Sequence, residues 1–452
     1  ARTPLPGTAL GFPLYSWVAL TLSLLLCACQ TIGKDTIGQL RNARMVIEEE
    51  KVENVPEKAM ESYRRFLEET PESGLTPEAI RRLADLKAER EYDLLAADAA
   101  TGQQIPPEAP PPPGSAAQPD GAPTHTPIFL TARNPAGETR ADFEKRAAQT
   151  AVLPYARADK GLVDGAVDLE RIGAYEAIEL YQKLLKEYPA YERNDQVLYQ
   201  LARTYEELGR VDEAVQVMGR LTREQQRSRF VDEMQFRLAE YFFTRRRYVD
   251  AEEAYGSIVA MGASSSYYPL ALYKMGWAYY KQELYDNALD RFIALLDHQV
   301  STGYDFTQTS DEAERKRMDD TFRVISLSFS NLGGAGSATE YFSRHGKRKY
   351  EDSVYGSLAE FYFEKRRYGD AAATYTAFID SNPFHRESPQ FQMRVIEVHL
   401  AGGFPSLVID TKKRFAGAYG ITADYWRHFE PANRPEVLAW LKTNQADLAR
   451  HY

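Results

Sequence analysis

Apolar residues follow a helical period along the chain from about residue 164 to residue 415. Within this stretch four alanines, Ala177, Ala214, Ala251 and Ala288, stand 37 residues apart. Each alanine is followed four and seven positions later by large apolar side chains, which places them on one face of a helix. The equal steps therefore predict an internal repeat in which every alanine belongs to an amphipathic helix.

A second set of regular positions lies upstream of these alanines. An aromatic residue precedes three of them by nine positions, and a small residue precedes the same three by twelve. A small residue fits where two helices approach most closely, and a ring fills the groove between neighbouring units. The repeating element is therefore predicted to be a hairpin of two helices. The paired positions are Ala202 with Tyr205, Ala239 with Phe242, and Gly276 with Tyr279.

The pattern continues on both sides of the equal steps. Downstream, Ala338 and Ala371 continue the alanine series, and the polar stretch 298–318 is predicted to be an insertion that lengthens one step. Upstream, the spacing around Ala59 predicts one more hairpin. The first helix of the Ala177 unit is predicted to be irregular, because the residues before it break the pattern of small and aromatic positions.

These positions resemble the tetratricopeptide repeat, including the late proline that Pro189 and Pro383 match. The resemblance implies an all-α fold, a right-handed superhelical solenoid of tetratricopeptide-like helical hairpins that binds a protein or peptide. It also implies that the first helices line a concave face. The alternative for each ring on that face is packing between repeats. By this register the candidate partner-binding residues are Tyr199, Arg203, Phe236, Phe243, Tyr273, Trp277 and Tyr280.

An apolar run from Ala9 to Leu26 ends in the only two cysteines, Cys27 and Cys29. The run has the length of a signal-peptide core with its flanks. The segment Leu26-Cys27-Ala28-Cys29 resembles the lipobox of bacterial lipoproteins, which implies lipid attachment at Cys29 and a membrane partner. With Gln30 following, the resemblance implies an outer-membrane lipoprotein facing the periplasm, with the inner membrane as the alternative. An uncleaved signal anchor and a plain secretory signal are the competing interpretations.

Composition divides the chain into regions. Nine prolines fall between residues 99 and 127, which is typical of a solvated linker. The predicted regions are a lipoprotein signal peptide at 1–29, an N-terminal helical region with one hairpin at 30–98, a Pro-rich disordered linker at 99–150, the array of 37-residue units at 151–297, the insertion at 298–318, further hairpins at 319–417, and a C-terminal helical segment at 418–452 that we expect to be truncated.

Charge and motif content exclude several classes of function. The net charge of −10 repels a polyphosphate backbone, so we expect no nucleic-acid partner. None of the seven histidines stands in a metal-ligand pattern, and neither cysteine lies in the helical body. We therefore expect no catalytic residue, no metal and no cofactor.

Two related basic strings occur at turns, Arg245-Arg246-Arg247-Tyr248 and Lys365-Arg366-Arg367-Tyr368. They either complement the dipoles of the helices that end there or form a basic edge for an acidic partner or lipid head group. The sequence as a whole favours a non-enzymatic protein-protein interaction scaffold of the bacterial envelope, acting as an adaptor or assembly factor. The alternative is a substrate-guiding arm of a cell-wall-active enzyme whose catalytic module lies beyond residue 452.

Overall fold

The structure is a computed structural model that describes residues 55–102, 138–149, 172–306 and 311–452, with the backbone alone at 91–102. Its contacts divide the chain at Glu57, and Lys58–Tyr452 forms one compact unit. The predicted signal peptide, Cys29 and the proline cluster lie outside the described residues. Within the described ranges the regular structure is helical, without strands.

Eight of the described helices have 14 residues each, as expected for a repeat array, and the others range from 9 to 27 residues. They are α1 (Val55–Glu69), α2 (Thr76–Gly102), α3 (Arg140–Ala148), α4 (Ile172–Glu187), α5 (Asn194–Glu207), α6 (Val211–Glu224), α7 (Val231–Thr244), α8 (Tyr248–Met261), α9 (Tyr268–Lys281), α10 (Tyr285–Ser301), α11 (Glu312–Leu332), α12 (Ala335–His345), α13 (Glu351–Glu364), α14 (Tyr368–Ser381), α15 (Ser388–Ala401), α16 (Pro405–Tyr419) and α17 (Pro435–His451).

Successive helices pack in pairs, and each pair packs on the next. The pairs are α2 with α4, α5 with α6, α7 with α8, α9 with α10, α11 with α12, α13 with α14, and α15 with α16. This arrangement confirms an all-α solenoid of helical hairpins. It also confirms the alanine register, because the alanines of the second helices have no exposed surface. These alanines are Ala177, Ala214, Ala251, Ala288, Ala338 and Ala371.

The closest approach within a hairpin is visible at Gly276 on α9. A Cβ atom placed there would lie 2.7 Å from Cε1 of Phe292, which projects from the paired helix α10. At the same register position α7 carries Ala239, which is fully buried. The small residue of the repeat therefore sets the distance between paired helices, as the sequence predicted.

The turn within each hairpin repeats one backbone conformation. Gly209, Arg246 and Glu283 follow one another at the repeat step and have φ of 72°, 60° and 62°. Arg366 and Gly403 take the same position later in the chain, with φ of 57° and 73°. Three units thus hold a non-glycine residue in the left-handed region, which the surrounding hairpin must stabilise.

The basic strings make local contacts at these turns. Arg247 pairs with Asp250 at 2.8 Å and lies over the ring of Phe242, 4.6 Å from its centroid. Arg367 repeats this arrangement, pairing with Asp370 at 2.7 Å and lying 4.4 Å from the Tyr362 centroid. These cations therefore join the end of a first helix to the start of the second one.

The first helix of the Ala177 unit differs from the prediction. It is α2, which packs on α4 although residues 103–171 separate the two helices in sequence. Tyr181 of α4 donates to the Asp85 carboxylate of α2 at 2.8 Å, and Arg81 pairs with the same carboxylate at 2.5 Å. The prediction that the linker divides two regions is therefore wrong for α2, because the buried polar groups of this helix find partners on α4.

Two further boundaries need correction. Residues 140–148, which the sequence predicts to lie in the disordered linker 99–150, form the helix α3. The predicted insertion 298–318 is partly helical, since α10 continues to Ser301 and α11 begins at Glu312. In the C-terminal segment, short 3-10 helices at Asp424–Arg427 and Pro431–Asn433 precede α17.

Candidate functional site

The seven residues predicted to line an open face have different environments. Tyr199 is half-buried, stacks on Phe230 at 4.2 Å and donates to Glu233. Arg203 keeps 37% of its side chain exposed and lies near Glu207, 3.7 Å away. The other five residues are buried, so the prediction that they lie open to a partner is wrong. They are Phe236, Phe243, Tyr273, Trp277 and Tyr280.

Two of these five belong to the packing between repeats, the alternative that the sequence left open. Phe236 of α7 lies 5.8 Å from the ring of Tyr255 in the paired helix and 5.2 Å from Tyr267 ahead of the next unit. Phe243 packs edge-on against Tyr248 of its own hairpin at 5.4 Å, and Nζ of Lys274 in the next hairpin lies 4.4 Å from the Phe243 centroid. Rings at these positions fill the seams of the array.

Tyr273, Trp277 and Tyr280 are covered for another reason: α3 lies against them. They stand on one face of α9 at helical spacing, together with the neighbouring Lys274 and Lys281, and α11 adds two charged side chains. We call the residues that contact α3 the α3 site. These residues are Tyr273, Lys274, Trp277, Tyr280 and Lys281 of α9, with Asp320 and Arg323 of α11.

Local sequence explains where α3 begins. The Thr139 hydroxyl accepts a hydrogen bond from the backbone N–H of Asp142 at 3.2 Å and donates to the Asp142 carboxylate at 2.7 Å. This is an N-cap with an acid in the first turn. A helix of nine residues is nevertheless too short to be stable alone in water. Its stability must therefore come from the contacts with the array.

Phe143 is the apolar centre of the α3 site. Its ring has no exposed surface and lies 5.9 Å from the Trp277 ring. The guanidinium of Arg323 lies over the Phe143 ring, 3.8 Å from the ring centroid. Burial of a phenylalanine contributes about 1.5–3 kcal/mol, and a desolvated cation over a ring adds to it.

Charged groups fix the first half of α3. The Glu144 carboxylate accepts hydrogen bonds from Lys281 at 2.8 Å and from the Tyr280 hydroxyl at 3.0 Å. Arg140 pairs with Glu144 at 2.8 Å and donates to Tyr280 at 2.9 Å. Burial raises the pKa of Glu144, but the hydrogen bonds from Lys281 and Arg140 outweigh it and hold that pKa below its ordinary value.

A second charged cluster joins α3 to α11. Arg146 donates to both carboxylate oxygens of Asp320, at 2.7 and 2.9 Å, and to Glu138 at 2.8 Å. Glu138 also accepts from Arg323 at 2.6 Å. Hydrogen bonds from Arg146 and Arg323 lower the pKa of Glu138. The bidentate contact between Arg146 and Asp320 fixes the orientation of α3 as well as its distance from α11. A single point charge would fix the distance alone.

The end of α3 is held through its backbone. The Tyr273 hydroxyl donates to the carbonyl of Ala147 at 3.0 Å, and Lys274 donates to the carbonyl of Ala148 at 2.8 Å. These carbonyls belong to the last turn, which has no partners within the helix and carries the negative end of the helix dipole. The α3 site therefore contacts the C-terminal backbone of α3 directly, and the small buried side chains of Ala147 and Ala148 allow this approach.

Lys274 is itself part of a buried group of three polar residues. Its Nζ lies 2.9 Å from Glu240 of α7, and neither side chain is exposed. The Tyr255 hydroxyl donates to the same carboxylate. Burial raises the pKa of Glu240 and lowers the pKa of Lys274, because the interior disfavours each charge, and their mutual attraction opposes both shifts.

Sequence reasoning missed α3 because it lies beside a proline cluster. A local signal was present, since Phe143, Ala147 and Ala148 share one helix face after the capping pair Thr139 and Asp142. Nothing in the sequence indicated which face of the array this helix would contact.

Two further properties concern the described ranges alone. No helix among them is both long enough and apolar enough to cross a membrane. No group of three or more His, Cys, Asp or Glu side chains within them is arranged to hold a metal ion.

Comparison with known proteins agrees with the repeat register. Residues 175–231 and 270–298 each match a family model described as tetratricopeptide repeat. A solved tetratricopeptide repeat protein from Parabacteroides merdae ATCC 43184 is 14% identical over 60% of this chain and 93% of that chain, with a TM-score of 0.27. No curated protein gives a significant match. Residues 175–231 and 270–298 are thus similar to tetratricopeptide repeats, in agreement with the buried alanine register, and such repeats support a protein-protein interaction scaffold.

Proposed function

We propose that the protein is a scaffold without chemistry of its own, and that the α3 site binds a helical segment of a partner protein. The observation that supports this is the binding of α3 itself, in which a short amphipathic helix contacts α9 and α11 through a buried ring, two charge clusters and its C-terminal carbonyls. The surface is formed by α9 and α11, each the first helix of its hairpin. Such a surface selects a helix by its anchors and by the end that it presents.

We place this scaffold in the bacterial envelope, as an outer-membrane lipoprotein that faces the periplasm and acts as an adaptor or assembly factor. The support is the lipobox-like segment Leu26-Cys27-Ala28-Cys29, which lies outside the described residues. A lipid on Cys29 would hold the array at the membrane surface, and a second signal, such as a bound partner, would strengthen that attachment.

One experiment tests the location. Cys29→Ser in the full-length protein is expected to abolish acylation and to release the protein from membranes, measured by mass spectrometry and by membrane fractionation. Separation of inner and outer membranes distinguishes the two predicted locations. Membrane retention of the unacylated variant would contradict a lipid anchor.

A second experiment tests the binding role. The wild-type lipoprotein and Asp320→Arg are each cross-linked in intact envelopes and captured, and their cross-linked partners are compared. Asp320→Arg is expected to lose a partner that Asp424→Arg keeps, since Asp424 is exposed and outside the α3 site. Identical partner sets for both variants would contradict a role of the α3 site.

A further inference from the structure

The contacts of α3 leave no room for a second helix at the α3 site. Phe143 covers Trp277, Glu144 accepts from Lys281, and Arg146 engages both oxygens of Asp320. Tyr273 and Lys274 are bound to the C-terminal carbonyls of α3. On the proposed function, which this inference presupposes, a partner helix therefore binds only when α3 has left.

The connectivity of the chain allows α3 to leave without opening a hairpin. Helix α3 lies in sequence between α2 and α4, which pack on each other and complete their own hairpin. The two helices of that hairpin are joined by Tyr181 with Asp85 and by Lys87 with Glu176, contacts in which α3 has no part. The α3 site lies on α9 and α11, which belong to later hairpins.

We propose that residues 138–149 are an internal ligand that closes the α3 site, and that the partner of this site is a helix with the same chemical pattern. The pattern is an acid, an Arg two positions later, a Phe three positions after that, an acid next to the Phe, and a second Arg followed by two small residues at the end of the helix. The corresponding residues are Glu138, Arg140, Phe143, Glu144, Arg146, Ala147 and Ala148.

Each feature of the pattern has a partner in the α3 site. The ring fits between Trp277 and Arg323, and the acid beside it fits Lys281. The two small residues bring the helix end against α9, where Lys274 is bound at the last carbonyl. A bulky side chain in place of Ala147, which has no exposed surface, would hold the helix away from that cation.

The test uses a fluorescent peptide of residues 138–149 and the whole chain. Wild-type protein is expected to bind the peptide weakly, because its own α3 competes at the high effective concentration of a tethered segment. Phe143→Asp in the chain removes the internal competitor and is expected to raise the affinity for the wild-type peptide at least about tenfold. Fluorescence anisotropy measures both affinities.

Matched variants locate the binding. Adding Asp320→Arg to the Phe143→Asp chain is expected to abolish peptide binding, and a peptide with Arg146→Asp is expected to restore it by exchanging the two charges. Adding Asp424→Arg to the Phe143→Asp chain instead is expected to leave the peptide affinity unchanged. If Phe143→Asp disturbs the fold by circular dichroism, Arg146→Asp in the chain takes its place, since 30% of that side chain is exposed.

The internal-ligand proposal is overturned if the opened chain binds the peptide no better than wild type, or if Asp320→Arg leaves the affinity unchanged. It is also overturned if the wild-type chain sediments as a dimer that Phe143→Asp dissociates, since α3 would then act between copies. Failure of the peptide while envelope partners remain sensitive to Asp320→Arg would remove the internal ligand and leave the proposed function. Peptide binding that depends on Asp320, together with envelope partners that do not respond to Asp320→Arg, would keep the internal ligand and remove the proposed function.

Discussion

The array contains two related polar triads, one fully buried under α3 and one partly exposed without such a cover. Glu240, Tyr255 and Lys274 form the first triad, and each residue of the second follows its counterpart by 120 positions. In both triads the tyrosine donates to the glutamate of the preceding helix. The second triad is Glu360, Tyr375 and Arg394.

The difference lies in the cation and its surroundings. Lys274 is fully buried and divides its donors between Glu240 and the carbonyl of Ala148. Arg394 keeps 18% of its side chain exposed and directs its guanidinium at two carboxylates, Glu360 and Glu397. Lys274 therefore donates a hydrogen bond to the C-terminus of α3, whereas the guanidinium of Arg394 pairs with carboxylates of the array.

The neighbouring positions differ in the same direction. Where α9 carries Tyr273, Trp277 and Tyr280, α15 carries Met393, Glu397 and Leu400 at the corresponding positions. Met393 contacts Asn444 of α17 at 3.2 Å, and Leu400 is 59% exposed. The repeat thus supplies the scaffold in both places, and a few substitutions on one first helix turn it into a helix-binding surface.

The largest effect is expected from Lys274→Met, which leaves Glu240 buried without its cation. We expect the free energy of unfolding to fall by about 3–5 kcal/mol, measured by urea unfolding followed by circular dichroism. Arg394→Met is the matched control and should cost less, because Glu360 is partly exposed to water. Adding Glu240→Gln to Lys274→Met should recover part of the loss. An equal cost at the two triads would contradict the comparison.

Lys274→Arg converts the first triad into the second one while keeping the charge. We expect the array to stay folded and α3 to lose about 1.5–3 kcal/mol of binding free energy, the value of a hydrogen bond to a charged donor. Hydrogen exchange of the 140–148 amides measures this loss, with Arg394→Lys as the control. Unchanged protection of α3 would show that the Lys274 contact does not hold it.

Gly276→Ala tests the packing beneath the α3 site. The new Cβ atom would lie 2.7 Å from the Phe292 ring, so we expect a loss of about 1–3 kcal/mol by overpacking. At the corresponding position α15 carries Ile396, and the position that corresponds to Phe292 is Lys412 instead of a ring. Phe292→Leu in the same chain should restore stability in the urea titration, and no rescue would contradict this reading of the contact.

The smallest effect near neutral pH is expected from the acids of α3. The pKa values of Glu138 and Glu144 are lowered when α3 is bound, so their contribution is complete above their ordinary value of 4.5. It is lost as the pH falls through the lower values of the bound state. Fluorine NMR of a fluorinated phenylalanine at position 143 should therefore report release only in acid. Release on raising the pH would reverse the sign and contradict the assignment.

The sequence predicted the array well because its signal is local and periodic. Buried alanines such as Ala214 and Ala251 repeat at a fixed step, and one hairpin resembles the next. The α3 site depends on contacts that no period encodes: Phe143 meets Trp277, and Arg146 meets Asp320, across large separations in sequence. The predicted register placed Tyr273, Trp277 and Tyr280 on one face of a first helix, but it gave no indication that α3 of the same chain covers them.

The hairpin of α2 and α4 escaped prediction for a related reason. Its two helices are separated by residues 103–171, so the repeat step is interrupted inside one unit. The partner of Tyr181 is Asp85, a polar residue that a search for apolar spacing does not select. Buried polar contacts of this kind are specific, but they have no characteristic interval.

The most direct test of the central claim is a zero-length carbodiimide cross-link in the wild-type chain, read by mass spectrometry. The account predicts a covalent link between Glu144 and Lys281 within one chain, because their charged atoms lie 2.8 Å apart. The ion pair of Lys87 with Glu176, between α2 and α4, is the internal positive control. Recovery of the control link in monomers without any link at Glu144 would contradict the binding of α3 to α9.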